Sequence, residues 1–323
     1  AYNRDLDEFL VVWEYEYSPT DHDLHARRVG SDGSLIGGEL SIATATTFEQ
    51  RPSITYNSAD DQYLITWELY NGSDHDIYAQ RFTYAGATVG SAFVVASGNS
   101  EQAAPVPAYS TTAARYLVVW QSRAYGTEDF NIYGQRVAAD GTLAGSVISI
   151  ATWEYSQIEP DLAYNSAANE FFVVWEDHHW GWGADWDIYG QRINYDGALI
   201  GGNLGIAWDN SNHRLRPAIA YQANANEYLV AWEYAYSDSD HDIYRRRVAS
   251  DGSLPDTETY VTQSTAWEDT PVIAADDQWS YLIAWEDNRD TATQGINLYG
   301  DRVKLYQLSG YVFNGNLGVE TTP

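Results

Sequence analysis

Six apolar runs, each ending on a tryptophan, divide the chain into repeated units. FLVVWE, YLITWE, YLVVWQ, FFVVWE, YLVAWE and YLIAWE place Trp13, Trp67, Trp120, Trp175, Trp232 and Trp285 at intervals of 54, 53, 55, 57 and 53 residues. A second motif follows each run (DLHARRV, DIYAQRF, NIYGQRV, DIYGQRI, DIYRRRV, NLYGDRV) and carries Arg28, Arg81, Arg136, Arg192, Arg247 and Arg302. A third precedes each run from the second unit on: RPSITYN, APVPAYS, EPDLAYN, RPAIAYQ and TPVIAAD. A fourth follows turns such as Asp32-Gly33 and Asp196-Gly197, reading LIGGELSIA and LIGGNLGIA. A repeat of this period is one supersecondary unit that buries its faces only against its neighbours.

Each unit therefore holds four short β-rich runs, A to D, separated by turn residues. Run B is apolar at successive positions, as in Phe171, Phe172, Val173 and Val174, so it reads as a central strand covered on both faces. Four antiparallel strands per unit and six units predict an all-β, six-bladed β-propeller over residues 1–303. A β-solenoid is the rival, with shorter coils and terminal caps. The first unit begins partway through run A, as in a piece of a longer chain. The sixth has no Asp-Gly turn after Val303, and residues 304–323 are either its last strand or the start of something else.

Composition narrows the function classes. Aromatic residues are 15% of the chain, too many for a disordered segment, and the net charge of −29 repels nucleic acid and anionic membranes. Without cysteine there is no disulfide, thiolate metal site or thiol nucleophile. No apolar run is long enough for a membrane-spanning helix.

The order Pro-x-x-x-Tyr-Asn, apolar strand, Asp-Ile-Tyr, Asp-Gly resembles the repeat of TolB-type propellers and of units in bacterial surface proteins. The tail LSGYVFNGNLGVETTP resembles the first strand of Ig-like carboxypeptidase-regulatory or SdrD-type modules. Those resemblances imply a secreted, extracellular, cell-surface protein with several modules.

Strand alternation puts the A–B and C–D turns at one end of the blades and the B–C and D–A loops at the other. The first set is stereotyped. The second varies and is aromatic, so the functional end is expected there. Its richest loop, in the fourth unit, holds His178, His179, Trp180, Trp182 and Trp186, and D–A loops add Trp153, Trp208 and Trp267. Flat aromatic faces beside Asp, Asn and Glu suit a sugar, and aromatics packed loop on loop are the structural alternative. The six B-run tryptophans are expected in the blade-to-blade core, and the repeated arginines are expected to meet a repeated carboxylate or carbonyl groups.

Paired aspartates open run C in four units: Asp21 and Asp23, Asp74 and Asp76, Asp185 and Asp187, Asp240 and Asp242. Such oxygen-rich loops are candidate Ca²⁺ ligands, with turn hydrogen bonding as the competing role. No Gly-x-Ser-x-Gly, His-Glu-x-x-His or Ser-x-Asp-x-Gly-x-x-Trp motif is present, so no catalytic residue is assigned. The expectation is an extracellular, non-catalytic binding or adhesion propeller whose partner is a glycan or another surface protein, with no nucleic-acid partner and no membrane insertion. The alternatives are a self-assembling structural module of a surface layer, filament or adhesin, and a glycan-active hydrolase or lyase.

Overall fold

The structure is a computed structural model. It describes residues 1–45, 47–124, 126–178, 185–209, 212–289, 296–308 and 311–313. Blade 1 holds β1 to β4 (Tyr2–Asn3, Glu8–Ser18, Asp21–Gly30, Leu35–Ala43) and blade 2 holds β5 to β8 (Glu49–Asn57, Gln62–Tyr70, His75–Thr83, Thr88–Ala96). Blade 3 holds β9 to β12 (Ser100–Ser110, Arg115–Ala124, Asn131–Ala138, Leu143–Ala151) and blade 4 holds β13 to β16 (Gln157–Asn165, Glu170–Asp177, Asp187–Asn194, Leu199–Ala207). Blade 5 holds β17 to β20 (His213–Gln222, Glu227–Ser237, Asp240–Ala249, Thr259–Tyr260) and blade 6 holds β21 to β23 (Glu268–Ala275, Ser280–Asp287, Asn297–Lys304). In each blade the strands pair in sequence order, with antiparallel register. The fold is the six-bladed β-propeller read from the repeat, with three strands in the last blade. β24 (Tyr306–Leu308) and β25 (Tyr311–Phe313) pair with each other as a separate hairpin.

The chain forms two compact units, Ala1–Pro217 and Ala218–Pro323. In the first, the two-faced B strands build layered cores. Tyr63, Ile65 and Trp67 meet Leu10 and Leu24 of blade 1, while Leu64 joins Tyr116, Val118 and Trp120 of blade 3. Leu117 and Val119 then meet Phe171, Val173 and Trp175 of blade 4. The tryptophan of blades 2, 3 and 4 thus faces the preceding blade, with each large side chain contributing about 1.5–3 kcal/mol by burial. In the second unit, Leu229 and Ala231 meet Tyr281, Ile283 and Trp285 in the same way. Trp13 is half-buried.

Several of the repeated arginines pair with acids of their own blade, and Arg81 also reaches the next one. Arg28 and Arg192 each make two hydrogen bonds to Glu8 and Glu170, all 2.8 to 2.9 Å long. Arg247 reaches Asp256 at 2.9 Å and Glu227 at 3.2 Å. Arg81 uses the Gln62 side chain and the Ala139 carbonyl.

Candidate functional site

The first strands of blades 2, 3 and 4 pack on one another as the inner wall of the first unit. Each is bulged near its start, where pairing slips around Arg51, Ala104 and Glu159. These three residues precede the strand's proline and adopt left-handed backbone, with φ of 50°, 53° and 48°. Arg216 of β17 and Thr270 of β21 repeat the conformation at 50° and 47°. Such values are uncommon outside glycine, and a bulge of this kind re-aims a side chain.

The polar residue after the B-strand tryptophan of blades 1 to 4 holds the next bulge. The backbone N–H of Arg51 donates to Glu14 Oε2 at 3.1 Å, that of Ala104 to Glu68 Oε1 at 2.7 Å, that of Glu159 to Gln121 Oε1 at 2.7 Å, and that of Arg216 to Glu176 Oε1 at 2.5 Å. The Trp-Glu signature is therefore an inter-blade clasp. Burial raises Glu68 above the usual carboxylate range, against the bonds it accepts from Ala104 and Gln50.

Since the clasp grips backbone, the bulge side chains are released. In the first unit they are Arg51, Ala104, Glu159 and Arg216, so Glu159 is the one acid of the set. Arg51 Nη2 of blade 2 donates to both carboxylate oxygens of Glu159 in blade 4, at 2.9 and 2.6 Å. Its Nε lies 3.7 Å from Glu68 Oε1. Glu159 keeps 34% side-chain exposure, enough to meet a ligand.

The same end of blade 4 carries a second acidic centre. Gln157, Asp177 and Asp187 form one row across β13, β14 and β15, and all three are buried. Trp175 Nε1 donates to Asp177 Oδ2 at 2.9 Å. Burial pushes the Asp187 carboxyl up to about 7, partly opposed by Arg214. Arg214 Nη1 lies 3.7 Å from Asp187 Oδ1, but its Nη2 is engaged at 2.7 Å with Asp209. Its neutralisation of Asp187 is therefore partial, and a carboxyl that keeps its proton near neutrality has the property of a general acid. Trp186 stacks on His178 with ring centres 4.4 Å apart, and its backbone is held by His213 and Arg214.

Of the residues singled out from sequence, Trp153, His178, Trp186 and Trp208 lie on B–C or D–A segments of the first unit, and Trp153 and Trp208 are exposed. Trp267 lies in the second unit, edge-on to His241 at 5.3 Å. His179, Trp180 and Trp182 lie outside the described residues. The paired aspartates serve local bonds where their partners are seen: Asn71 Nδ2 donates to both Asp74 and Asp76, and Asp242 accepts the Ser264 N–H at 2.9 Å. Asp187 accepts the Asp209 backbone N–H in the same manner. Asp21, Asp23, Asp185 and Asp240 are half-buried. Among the described residues, no three His, Asp or Glu side chains are grouped as a metal site would require.

No family model matches the chain, and no curated protein sequence does. Solved structures do resemble it. A Dyadobacter fermentans protein of unknown function is 12% identical over 93% of this chain and 92% of its own, with a TM-score of 0.62. The GH93 α-L-arabinofuranosidase of Fusarium graminearum, solved with arabinobiose, is 13% identical over 94% of this chain and 91% of its own, with a TM-score of 0.61. Its complex with an iminosugar inhibitor gives the same values.

These likenesses overturn the expectation of a non-catalytic binding or adhesion propeller. That expectation took the missing linear motifs as a sign of no chemistry. The Fusarium graminearum propeller is a glycoside hydrolase, and cleavage by carboxyl groups needs acids brought together in space, with no fixed spacing along the chain.

Proposed function

We propose that this chain is a glycan-active hydrolase working at the B–C/D–A end of blade 4. One observation carries the reading: among the bulge residues of the inner wall, Glu159 alone supplies a carboxylate, half-exposed and gripped by Arg51. Glu159 is assigned as a carboxylate of the pair that such cleavage uses, as nucleophile or as base to water. Asp187 keeps its proton near neutrality through burial, but at 2% exposure it does not meet a ligand and is given no part in the cleavage. The arabinofuranosidase likeness supports arabinose-containing glycans as the first substrates to try.

An extracellular setting belongs to the same reading, since polymeric glycans are met outside the cell. The TolB-type repeat pattern and the Ig-like resemblance of residues 304–323 support it from sequence.

The test is release of reducing sugar from arabinan, from an aryl α-L-arabinofuranoside and from a panel of neutral polysaccharides. The wild-type chain is expected to cleave at least one, and Glu159→Gln to lose on the order of a thousandfold in kcat/KM with an unchanged circular dichroism spectrum. No cleavage of any glycan, or wild-type rates in Glu159→Gln, would overturn the proposal.

A further inference from the structure

Blade 3 carries a cavity of 470 Å³ at the same end, which the assignment of Glu159 does not use. Its walls include Trp153, Tyr133, Tyr155, Asp129, Asn131 and Ser122. Trp153 is 42% exposed, offering a broad apolar surface above a polar floor. Asp129 Oδ1 is buried and has no hydrogen-bond partner among the described residues. A carboxylate oxygen withheld from water without a donor is costly, and a ligand hydroxyl would relieve that cost.

The loop that presents Trp153 is fixed in place. The fully buried Gln157 side chain holds it from both sides: its Oε1 accepts the Trp153 N–H at 3.2 Å and its Nε2 donates to the Tyr155 carbonyl at 3.0 Å. Tyr155 adopts φ of 70°, a strained value for a bulky residue. Ser156 ties the loop to its neighbours, since its carbonyl accepts the His178 N–H and its Oγ accepts the Phe130 N–H. An exposed tryptophan held this way binds without the entropy loss of ordering a mobile loop.

We infer that this cavity is a sugar-binding subsite that receives a residue of an oligosaccharide next to the bond being cleaved. The C–H face of the ring lies on Trp153, and its hydroxyls meet Asp129, Asn131 and Ser122. The inference rests on the proposed glycan-active reading. It adds that the chain acts on oligomers or polymers, since a sugar held in this cavity is a different residue of the glycan from the one at Glu159, which does not line it.

Binding and cleavage are measured separately. Arabinobiose and longer arabino-oligosaccharides are titrated by calorimetry into Glu159→Gln, and into Glu159→Gln carrying Trp153→Ala, Trp153→Phe or, as a remote control, Tyr84→Ala. Trp153→Ala is expected to weaken binding of the longer oligomers by roughly tenfold, with Phe restoring most of it and Tyr84→Ala leaving it unchanged. In otherwise wild-type protein, Trp153→Ala is expected to raise KM for the polymer by a larger factor than KM for the aryl glycoside. Equal binding with and without Trp153, or no oligomer bound by any variant, overturns the subsite. Trp153-dependent binding by a chain that cleaves nothing supports the subsite while removing the hydrolase reading.

Discussion

At the end of the blades that carries the A–B and C–D turns, polar side chains close turns or tie one blade to the next. Asn57 and Asn165 accept backbone N–H groups two and three residues on, and Asp32, Asp140 and Asp251 do so two residues on. Asn57 also donates to the Tyr116 hydroxyl of the next blade at 3.0 Å. The B–C/D–A end of the first unit has similar residue types in a different state. Asp187 is buried with a raised pKa, Asp129 holds an unpartnered oxygen, and Trp153 and Trp208 face outward. The difference teaches that at the turn end a repeated polar residue maintains the scaffold, whereas at the other end unsatisfied chemistry falls on Asp129 and Asp187, at positions the repeat shares, and on Trp153 and Trp208, outside the strand motifs.

The comparison breaks most sharply if two glutamates are exchanged for glutamine, one at each end. Glu159→Gln is expected to lose on the order of a thousandfold in kcat/KM, as above, with a melting temperature close to wild type, because its partner Arg51 is 43% exposed. Glu170→Gln is expected to do the reverse: kcat is unchanged while urea denaturation shows a loss of about 2–3 kcal/mol, since Glu170 is 4% exposed and Arg192 partly solvated. Comparable activity losses in the two variants would erase the distinction between the ends.

A pH titration sharpens it further. Asp187 has a folded pKa raised above its unfolded value, so its proton favours the folded state. That contribution is complete below the unfolded pKa near 3.8 and is lost as pH rises towards 7. Asp187→Asn is expected to flatten the stability profile across this window, on the order of a few kcal/mol in the wild-type chain. An unchanged slope in Asp187→Asn would place the titrating group elsewhere. The smallest effect belongs to the stereotyped end: Asp140→Ala removes bonds to the exposed Thr142 turn and should lower the melting temperature least of these variants, without touching activity.

The fold was legible because Trp67, Trp120 and Trp175 and their flanking strands repeat a packing requirement that only stacked blades meet. The arginines were legible for the same reason, their partners recurring at Glu8, Glu170 and Glu227. The exposed Trp153 and Trp208 stood out as aromatics outside any strand period. Glu159 did not, because Glu-Pro-Asp-Leu-Ala-Tyr-Asn reads as one more copy of the first strand. A signal was present: the residue before the proline is Arg51, Ala104, Glu159, Arg216 or Thr270, a varying position within a motif otherwise kept. That it marks a left-handed bulge follows only from backbone geometry. Asp187 was read as a turn or Ca²⁺ residue, since a raised pKa comes from enclosure by neighbouring strands and leaves no linear trace.

The clasp between Glu14, Glu68, Gln121 or Glu176 and the following bulge has a consequence for how such a chain changes over generations. A fastening that grips a peptide N–H works whatever residue stands there, proline excepted. Four sockets on the inner wall of the first unit can therefore be refilled one at a time by point mutation, while the architecture around them is inherited intact.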